Sequence, residues 1–470
     1  NAQFRMNGGV IGGTASGDAN SARTGGGIYV SSNKYSGILG GSVEGNKSSE
    51  NGGGIYNSGD IIVYNATVAG NEVTGEGYCG GGIYNNGKLF LKNTVITGNK
   101  VQNGEDSCGG GLYAAGTTTS IQDNTVIKNN INGGNAYVAA AAALTAIDIG
   151  EEACIKISGT AEQTVVSGSA DTAVFATDSD DYELVKSGSD LKLVERTDKT
   201  HRHCVCTLDT AVEEAHIHNA DTEWVGITSL DQINADDSHY YLKNDVVITD
   251  SWKPASGNVL CLNGHSIICD ASAATISMNA NNTLTLTDCS ANETGEITHA
   301  YGRTGRGINN DRADIALWRG NISGNTTSSY GAGVIVGKHA YFSMYGGSVK
   351  NNSTSNYGLG GGIYNRGTVN MFGGTVSDNY AAGSGGGIYS YRGTVTMFDG
   401  ADISNNRTDP ENKSAYGGGL NNYLGIVIMS GGTISGNSSN CGGGVYNGAD
   451  SGSSAETISA SFAMNGGTIS

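Results

Sequence analysis

Residues 79–99 read CGGGIYNNGKLFLKNTVITGN, and variants of this phrase recur along most of the 470-residue chain. Eight copies begin with three glycines and an aliphatic residue, and their first glycines are Gly25, Gly52, Gly80, Gly109, Gly360, Gly385, Gly417 and Gly442. Within each half of the chain, the aliphatic residue returns every 25 to 32 residues. A recurring period of this length indicates structural repeats that stack on one another.

A second phrase, aliphatic-x-x-Asn, runs in step with the first. Its nine asparagines are Asn46, Asn71, Asn99, Asn130, Asn325, Asn352, Asn379, Asn406 and Asn437. Asparagine tolerates a left-handed φ, and its side chain can bond to the same residue of a neighbouring repeat. We therefore expect these asparagines to turn one corner of each repeat and to form a ladder, while glycine turns another corner.

Between the two phrases, apolar residues alternate with polar or small ones, as in residues 88–99, which is the pattern of short β-strands. The 76 glycines of the chain would destabilise helices. A repeat of about 27 residues with several short strands is typical of one coil of a parallel β-helix, in which each strand pairs with its equivalent about 4.8 Å away. The sequence thus predicts an all-β protein with two right-handed parallel β-helix (solenoid) segments.

The two phrases resemble the repeats of polymorphic outer-membrane proteins and adhesin-like bacterial surface proteins, which pair Gly-Gly-Ala-aliphatic with Phe-x-x-Asn. Here the third position is Gly, and Val or Ile replaces Phe; the resemblance covers residues 7–135 and 300–470. Residues 240–267 are similar to the first coils of right-handed β-helices in secreted proteins of gut Firmicutes. The resemblance implies a secreted or cell-surface, adhesin-like stalk that binds host or environmental glycans or surface proteins through its lateral surface.

The composition excludes some classes of partner. The chain carries 26 basic and 44 acidic residues, a formal net charge of −18. Because phosphate binding needs a basic patch, we expect no nucleic-acid partner and no anionic membrane partner. No apolar run approaches the roughly 18 residues of a membrane helix, so we expect no membrane insertion in this segment. Since the chain begins and ends inside a repeat, we also expect it to be part of a longer precursor.

The distribution of the phrases predicts four regions. The first β-helix occupies residues 1–160, and shorter strands at 161–198 are expected to cap its open end, because an uncapped solenoid exposes unpaired strand edges. Residues 199–240 form a linker insert that contains Cys and His. A second β-helix, truncated at its end, follows at 241–470.

The insert contains six residues of the types that bind zinc: His201, His203, Cys204, Cys206, His216 and His218. Thiolate and imidazole ligands suit tetrahedral zinc, and four such ligands would make the site structural by leaving no open position. The Cys-x-Cys and His-x-His spacings differ from those of standard zinc fingers. The alternative is a small linker that packs on Trp224 and exposes its histidines.

Four other cysteines fall at the repeat period. Cys79 and Cys108 each precede a glycine triplet and lie 29 residues apart, and Cys261 and Cys289 lie 28 apart. Stacking in adjacent coils would separate each pair by about 4.8 Å, within the Cα range of a disulfide. A disulfide and a ladder of reduced, buried thiols both fit this spacing.

In seven repeats a tyrosine follows the aliphatic residue, and these are Tyr29, Tyr56, Tyr84, Tyr113, Tyr364, Tyr389 and Tyr446. If the aliphatic residue points inward, strand alternation places the tyrosine outside, so that a column of rings about 4.8 Å apart lies on one face. Such a column could bind sugar rings. The alternative is that the stacked rings only cover the glycine corners and stabilise the sheet.

An enzyme is the alternative function, because many right-handed β-helices cleave polysaccharides. A polysaccharide lyase or glycoside hydrolase would act in a groove of the second β-helix, where Arg306, Asp311 and Asp314 are the candidate catalytic residues. Two carboxylates could hold a cation or act as acid and base. They could also be solvated partners of nearby arginines, and the fold alone does not indicate catalysis. We therefore expect a non-catalytic protein.

Overall fold

The computed structural model describes residues 3–13, 18–102, 108–116, 118–150, 152–168, 174–179, 181–196, 224–233, 236, 238–290, 293–448 and 460–470. These residues form a parallel β-solenoid of about 14 turns, which confirms the predicted all-β, parallel β-helix architecture. The chain divides into two compact units, Asn1–Thr200 and His201–Ser470. Within the described ranges, no helix is long and apolar enough to cross a bilayer.

The described part of the first unit contains three sheets of short strands. Sheet A takes one strand from each coil, whereas sheet B contains two stacks of strands that are joined at Cys154–Gly159. The nine strands of sheet A are, in spatial order, Arg5–Met6, Ser36–Ile38, Asp60–Tyr64, Lys88–Lys92, Thr118–Asp123, Leu144–Ile149, Gln163–Gly168, Asp190–Glu195 and Tyr182–Ser187. The twelve strands of sheet B are Val10–Gly12, Gly41–Glu44, Ala66–Ala69, Val95–Thr97, Val126–Ile127, Cys154–Gly159, Ala136–Val138, Leu112–Ala114, Ile83–Asn85, Ile55–Asn57 and Ile28–Val30, with Phe175–Thr177 beside Cys154–Gly159. Sheet C contains Lys100–Val101, Glu72–Val73, Lys47–Ser48 and Ser21–Ala22.

The described part of the second unit contains four sheets, each a single stack of short strands from successive coils. The ten strands of sheet D are Trp224–Ile227, His239–Leu242, Asn258–Cys261, Thr283–Thr287, Asp314–Leu317, Tyr341–Met344, Thr368–Met371, Thr394–Met397, Ile426–Met429 and Ser461–Met464. The nine strands of sheet E are Val246–Ile248, Ile267–Cys269, Glu296–His299, Asn321–Ser323, Ser348–Lys350, Gly374–Ser377, Ala401–Ser404, Thr433–Ser435 and Thr468–Ile469. Sheet F contains Ile276–Ser277, Ile308–Asn310, Val334–Val336, Ile363–Asn365, Ile388–Tyr391, Leu420–Tyr423 and Val445–Gly448. Sheet G contains Thr326–Thr327, Ser353–Thr354, Tyr380–Ala381 and Arg407–Thr408.

Equivalent residues of successive repeats face one another in these sheets. Ile83 pairs in parallel with Ile55 on one side and with Leu112 on the other, and all three side chains are fully buried. Each unit therefore encloses one continuous core of in-register aliphatic residues. In the described strands, antiparallel pairing is confined to Gln163–Gly168, Tyr182–Ser187 and Asp190–Glu195 at the end of sheet A.

The end of the region predicted as an insert contributes to the second unit. Trp224–Ile227 pairs in parallel with His239–Leu242 in sheet D, and a short 3-10 helix at Leu230–Gln232 lies between these strands. Ser229 caps this helix by accepting a hydrogen bond from the backbone N–H of Asp231. Residues 224–242 thus supply the first two strands of sheet D.

The glycine triplet serves three separate steric requirements, as Gly80, Gly81 and Gly82 show. Gly80 has φ +71°, a left-handed conformation that favours glycine. A side chain on Gly81 would overlap the carbonyl oxygens of Gly110 and Lys100. A Cβ atom on Gly82 would lie only 2.9 Å from the carboxamide of Asn99. The two recurring phrases are therefore packed directly against each other.

The predicted asparagine ladder is confirmed in both units. The Oδ1 atom of Asn99 accepts hydrogen bonds from the backbone N–H and the Nδ2 of Asn71, at 3.0 and 2.9 Å. Asn99 in turn donates from both of its own nitrogens to the Oδ1 of Asn130. In the second unit the same pattern runs through Asn325, Asn352, Asn379, Asn406 and Asn437.

The expectation that these asparagines themselves take a left-handed φ is wrong. The left-handed residue is the one immediately before each ladder asparagine: Gly45, Gly70, Gly98, Asn129, Gly324, Asn351, Asp378, Asn405 and Gly436. The turn is made one residue earlier because the asparagine must align its backbone N–H and its side-chain amide with the same acceptor.

The ends of the two ladders use other residue types. In the first unit the carboxylate of Asp178 accepts from the backbone N–H and the Nδ2 of Asn135, at 2.9 and 2.7 Å. A carboxylate suits this position because both groups that Asn135 directs towards it, the backbone N–H and the Nδ2, are donors and a carboxylate only accepts. In the second unit the Nδ1 of buried His299 lies 2.7 Å from the Oδ1 of Asn325.

Replacing a ladder asparagine should destabilise the solenoid strongly. Asn99→Ala removes the acceptor of Asn71 and the donor to the carbonyl of Val68, in a fully buried position. We expect a loss of about 2–5 kcal/mol, since each buried polar group left without a partner costs about 1–3 kcal/mol. Chemical denaturation followed by circular dichroism measures this effect. Asn86→Ala is the matched control, because Asn86 is exposed, and equal denaturation midpoints for the two variants would contradict the stabilising role of the ladder.

Candidate binding surface

The predicted tyrosine column exists in the first unit. Neighbouring rings of Tyr29, Tyr56, Tyr84 and Tyr113 stack with centroids 5.0, 5.2 and 5.0 Å apart and with interplanar angles of 15° or less. Tyr137 extends the column at 5.5 Å from Tyr113. Sequence reasoning missed Tyr137 because no glycine triplet precedes it, although the strand register aligns it with Tyr113.

The rings of this tyrosine column cover one another. Because each stacked ring has a neighbouring ring on one or both faces, a sugar cannot stack on the inner rings. The stacking agrees with the alternative interpretation, in which the tyrosines stabilise the sheet through cross-strand aromatic contacts. What remains available along the column is the edge of each partly exposed ring and its hydroxyl group.

Burial disfavours the phenolate form of the three inner tyrosines of the column. Desolvation is the main cause that raises the pKa of Tyr56, Tyr84 and Tyr113, and the pKa of Tyr113 rises to about 12. The neighbouring tyrosines act in the same direction, because a second phenolate beside the first would be repelled. The column therefore presents a row of neutral hydroxyls that can both donate and accept hydrogen bonds.

The tyrosines predicted in the second unit do not form one column. Tyr364 and Tyr389 stack at 5.7 Å, and Tyr330 covers the other side of Tyr364 at 4.9 Å. The strand register then aligns Tyr389 with Asn421, so the equivalent position of the next coil holds no ring. Tyr389 instead contacts Tyr423 at 6.4 Å, and Tyr446 stacks on Tyr416. Tyr389 is only 9% exposed, which leaves little of it for a partner.

A second aromatic row in this unit was missed by the sequence analysis. Trp318, Tyr345, Phe372 and Phe398 stack with centroid separations of 4.2, 4.9 and 4.9 Å. Each follows the last residue of a strand in sheet D, and each is partly or fully exposed. The signal was an aromatic residue directly after Leu317, Met344, Met371 and Met397 at the repeat period.

Two of the three candidate catalytic residues are engaged in separate local contacts, and the third is exposed. Arg306 donates from Nε to the carbonyl of Tyr330 at 3.0 Å, and burial lowers its pKa. Asp311 faces Arg312 at 3.9 Å, with both side chains more than half exposed, as in a solvated surface pair. Asp314 is exposed at the start of its strand in sheet D.

Other charged groups of the same stretch also have structural partners. Arg303 pairs with Asp270 at 2.7 Å, and buried Arg319 pairs with Glu293 at 2.9 Å. With His299 held at the start of the asparagine ladder, these groups stabilise successive coils.

The predicted zinc ligands lie outside the described residues. His201, His203, Cys204, Cys206, His216 and His218 all belong to residues 201–223. In the part of the chain that the structure describes, no group of three or more His, Cys, Asp or Glu side chains is arranged to hold a metal ion. The zinc site in the insert stays a prediction.

Comparison of the chain with models of protein families, with curated proteins and with solved structures found no match. The structure supports the resemblance to adhesin-like repeats at the level of the parallel β-solenoid. The adhesin-like assignment itself stays a prediction.

Both predicted cysteine pairs are brought together. The Sγ atoms of Cys79 and Cys108 lie 2.7 Å apart, and their contact is the main cause that raises the pKa of the Cys79 thiol. The backbone N–H of Cys289 donates to the Sγ of Cys261 at 3.3 Å. The pKa of Cys261 is raised first by burial and then by its contact with the Cys289 thiol.

We expect Cys79 and Cys108 to form a disulfide under oxidising conditions. The two thiols would lose two protons and two electrons to oxidised glutathione, which becomes two reduced molecules. Closing a loop of this length stabilises a protein by about 3–4 kcal/mol. After oxidation, alkylation in denaturant followed by peptide mass analysis should leave these two cysteines unmodified and should modify exposed Cys441. Full alkylation of Cys79 and Cys108 would show a reduced thiol pair instead.

Proposed function

We propose that this protein is a non-catalytic, secreted or surface-displayed adhesin-like stalk that binds extended glycans through its lateral faces. The observation that carries the proposal is the in-register row of tyrosine hydroxyls from Tyr29 to Tyr137. One hydroxyl is presented per coil, and the ring centroids repeat every 5.0–5.5 Å. This interval is close to the coil spacing of about 4.8 Å.

A row with this repeat suits a partner that repeats at the same interval. An extended polysaccharide has a residue spacing close to the coil spacing, so successive sugar hydroxyls can meet successive tyrosine hydroxyls. Each hydrogen bond alone contributes little, but contacts along one chain act as linked binding events. The column therefore favours a polymer over a monosaccharide as its ligand.

The charge of the protein favours a neutral glycan. The net charge of −18 repels polymers that carry carboxylate or sulfate groups. Burial raises the pKa of Tyr84 and Tyr113 and disfavours their phenolate forms, so these two hydroxyls add no charge of their own.

The solenoid gives the proposed stalk a rigid lateral surface. Each coil pairs its strands with those of its neighbours, and repeat stability accumulates through such nearest-neighbour contacts. In the second unit, the exposed edges of Trp318, Tyr345, Phe372 and Phe398 add an apolar strip on which the C–H groups of a sugar chain can pack.

Removing column hydroxyls without removing rings tests the proposal. The double variant Tyr84→Phe/Tyr113→Phe keeps the stack but loses two hydroxyls, and we expect affinity for the bound polysaccharide to fall about tenfold, as for the loss of two hydrogen bonds. A glycan array identifies the polymer, and biolayer interferometry measures the affinities. Tyr64→Phe is the control, because Tyr64 lies at the end of a strand in sheet A and outside the column.

Three outcomes would contradict the proposal. The wild-type protein could bind no glycan, or the double variant could bind as tightly as the control. The third outcome is that the wild-type protein shortens a polysaccharide and that Asp311→Ala or Asp314→Ala abolishes this cleavage. That result would establish the enzyme alternative in the second unit.

A further inference from the structure

The tyrosine column of the first unit ends at a position where the next coil has no aromatic side chain. Tyr137 stacks on Tyr113 with one face, and the strand register aligns Tyr137 with Ser158 in the following coil. Serine is too small to fill the layer that a sixth ring would occupy. The face of Tyr137 that points away from Tyr113 is therefore not covered by a ring from that coil.

A cleft of about 340 Å³ lies at this end of the column. Its lining includes Tyr137, Ser158, Asp178, Asp181 and Tyr182. Small-molecule sites generally measure about 300–1,000 Å³, so the cleft is large enough for a small ring-shaped ligand but not for a long chain. It lies between the last coils and the antiparallel strands that end sheet A.

We infer that this cleft binds one pyranose ring of a neutral sugar, with the apolar face of the sugar stacked on Tyr137. The column already stacks flat groups at intervals of 5.0–5.5 Å, and a pyranose ring would occupy the next layer. The C–H groups of such a face pack well against the electron-rich face of an aromatic ring.

The polar wall of the cleft matches the edge of a sugar rather than that of an aromatic ligand. Asp178 is buried and is fixed by two hydrogen bonds from Asn135, so its position is set by the asparagine ladder. Asp181 is exposed beside it, and Ser158 supplies a hydroxyl. Carboxylate oxygens have several acceptor sites each, so they can accept further hydrogen bonds from sugar hydroxyls.

The same carboxylates restrict the sugar class. Two acidic side chains in one cleft repel uronic acids, sialic acids and sulfated sugars, and they attract donors. The ligand is therefore a neutral hexopyranose, either free or at the end of a chain whose remaining residues lie along the column. The choice of a sugar rests on the proposed function, whereas the position of the site rests on the cleft and the terminal ring.

Two substitutions test the inference: one adds a ring next to Tyr137, and the other removes the ring of Tyr137. Ser158→Phe should place a sixth ring on Tyr137 and block the cleft, and Tyr137→Ala should remove its floor. Saturation-transfer NMR and calorimetry with methyl glycosides of glucose, galactose, mannose and N-acetylglucosamine should detect binding of at least one glycoside to the full chain. We expect each variant to weaken that binding about tenfold or more. Circular dichroism checks the fold. Asp181→Asn keeps the size of an exposed side chain but removes a carboxylate of the cleft, and it should also weaken binding.

The outcomes separate this site from the hydroxyl row. Tyr84→Phe/Tyr113→Phe should leave monosaccharide binding unchanged, because these hydroxyls do not line the cleft. If the polymer binds through the column but no glycoside binds, or if Ser158→Phe and Asp181→Asn both bind the glycoside as the wild type does, the cleft site is wrong and the proposed function stands. If the glycoside binds in the cleft but no polymer binds, the hydroxyl row is wrong and the cleft site stands. Binding of p-cresol in place of every glycoside would overturn the sugar assignment.

Discussion

The structure depends on the buried amide ladder that links one coil to the next. Main-chain hydrogen bonds alone would hold any parallel strands together, but they do not fix which residue lies over which. The ladder does so, because the Oδ1 of Asn99 must receive both the backbone N–H and the side chain of Asn71. A shift of one residue would leave several buried polar groups without partners, at about 1–3 kcal/mol each.

The remaining features follow from this register. Gly82 lacks a side chain because the carboxamide of Asn99 occupies the space beside it. The aliphatic residues align into one core per unit, and the tyrosines that follow them are brought to the spacing at which rings stack. The same stacking also covers the faces of the inner rings, and this restricts stacking of a ligand to the two terminal rings, exposed Tyr29 and Tyr137 beside the cleft.

Much of the fold could be predicted because the same residue types recur at equivalent positions of successive coils. The glycine triplets and the aliphatic-x-x-Asn phrase indicated the coil, and the ladder and both cysteine pairs followed from spacing. The left-handed residue was assigned one position too late, because both residues of the Gly98–Asn99 pair tolerate that conformation and only the bonding geometry chooses between them. Tyr137 and Asp178 could not be found from the repeat, since the end of the first solenoid departs from the pattern that carries the prediction. In the second unit, Asn421 occupies the position of the next tyrosine and Tyr389 contacts Tyr423 instead, an effect that depends on the register of one coil.

Hydrogen exchange of the asparagine side-chain amides tests the central claim most directly. Selective 15N labelling of asparagine allows NMR to follow these amides in the intact chain. The ladder account predicts that the amides of residues such as Asn71, Asn99, Asn352 and Asn379 exchange far more slowly than that of exposed Asn86. Exchange of all asparagine side chains at the rate of Asn86 would contradict it.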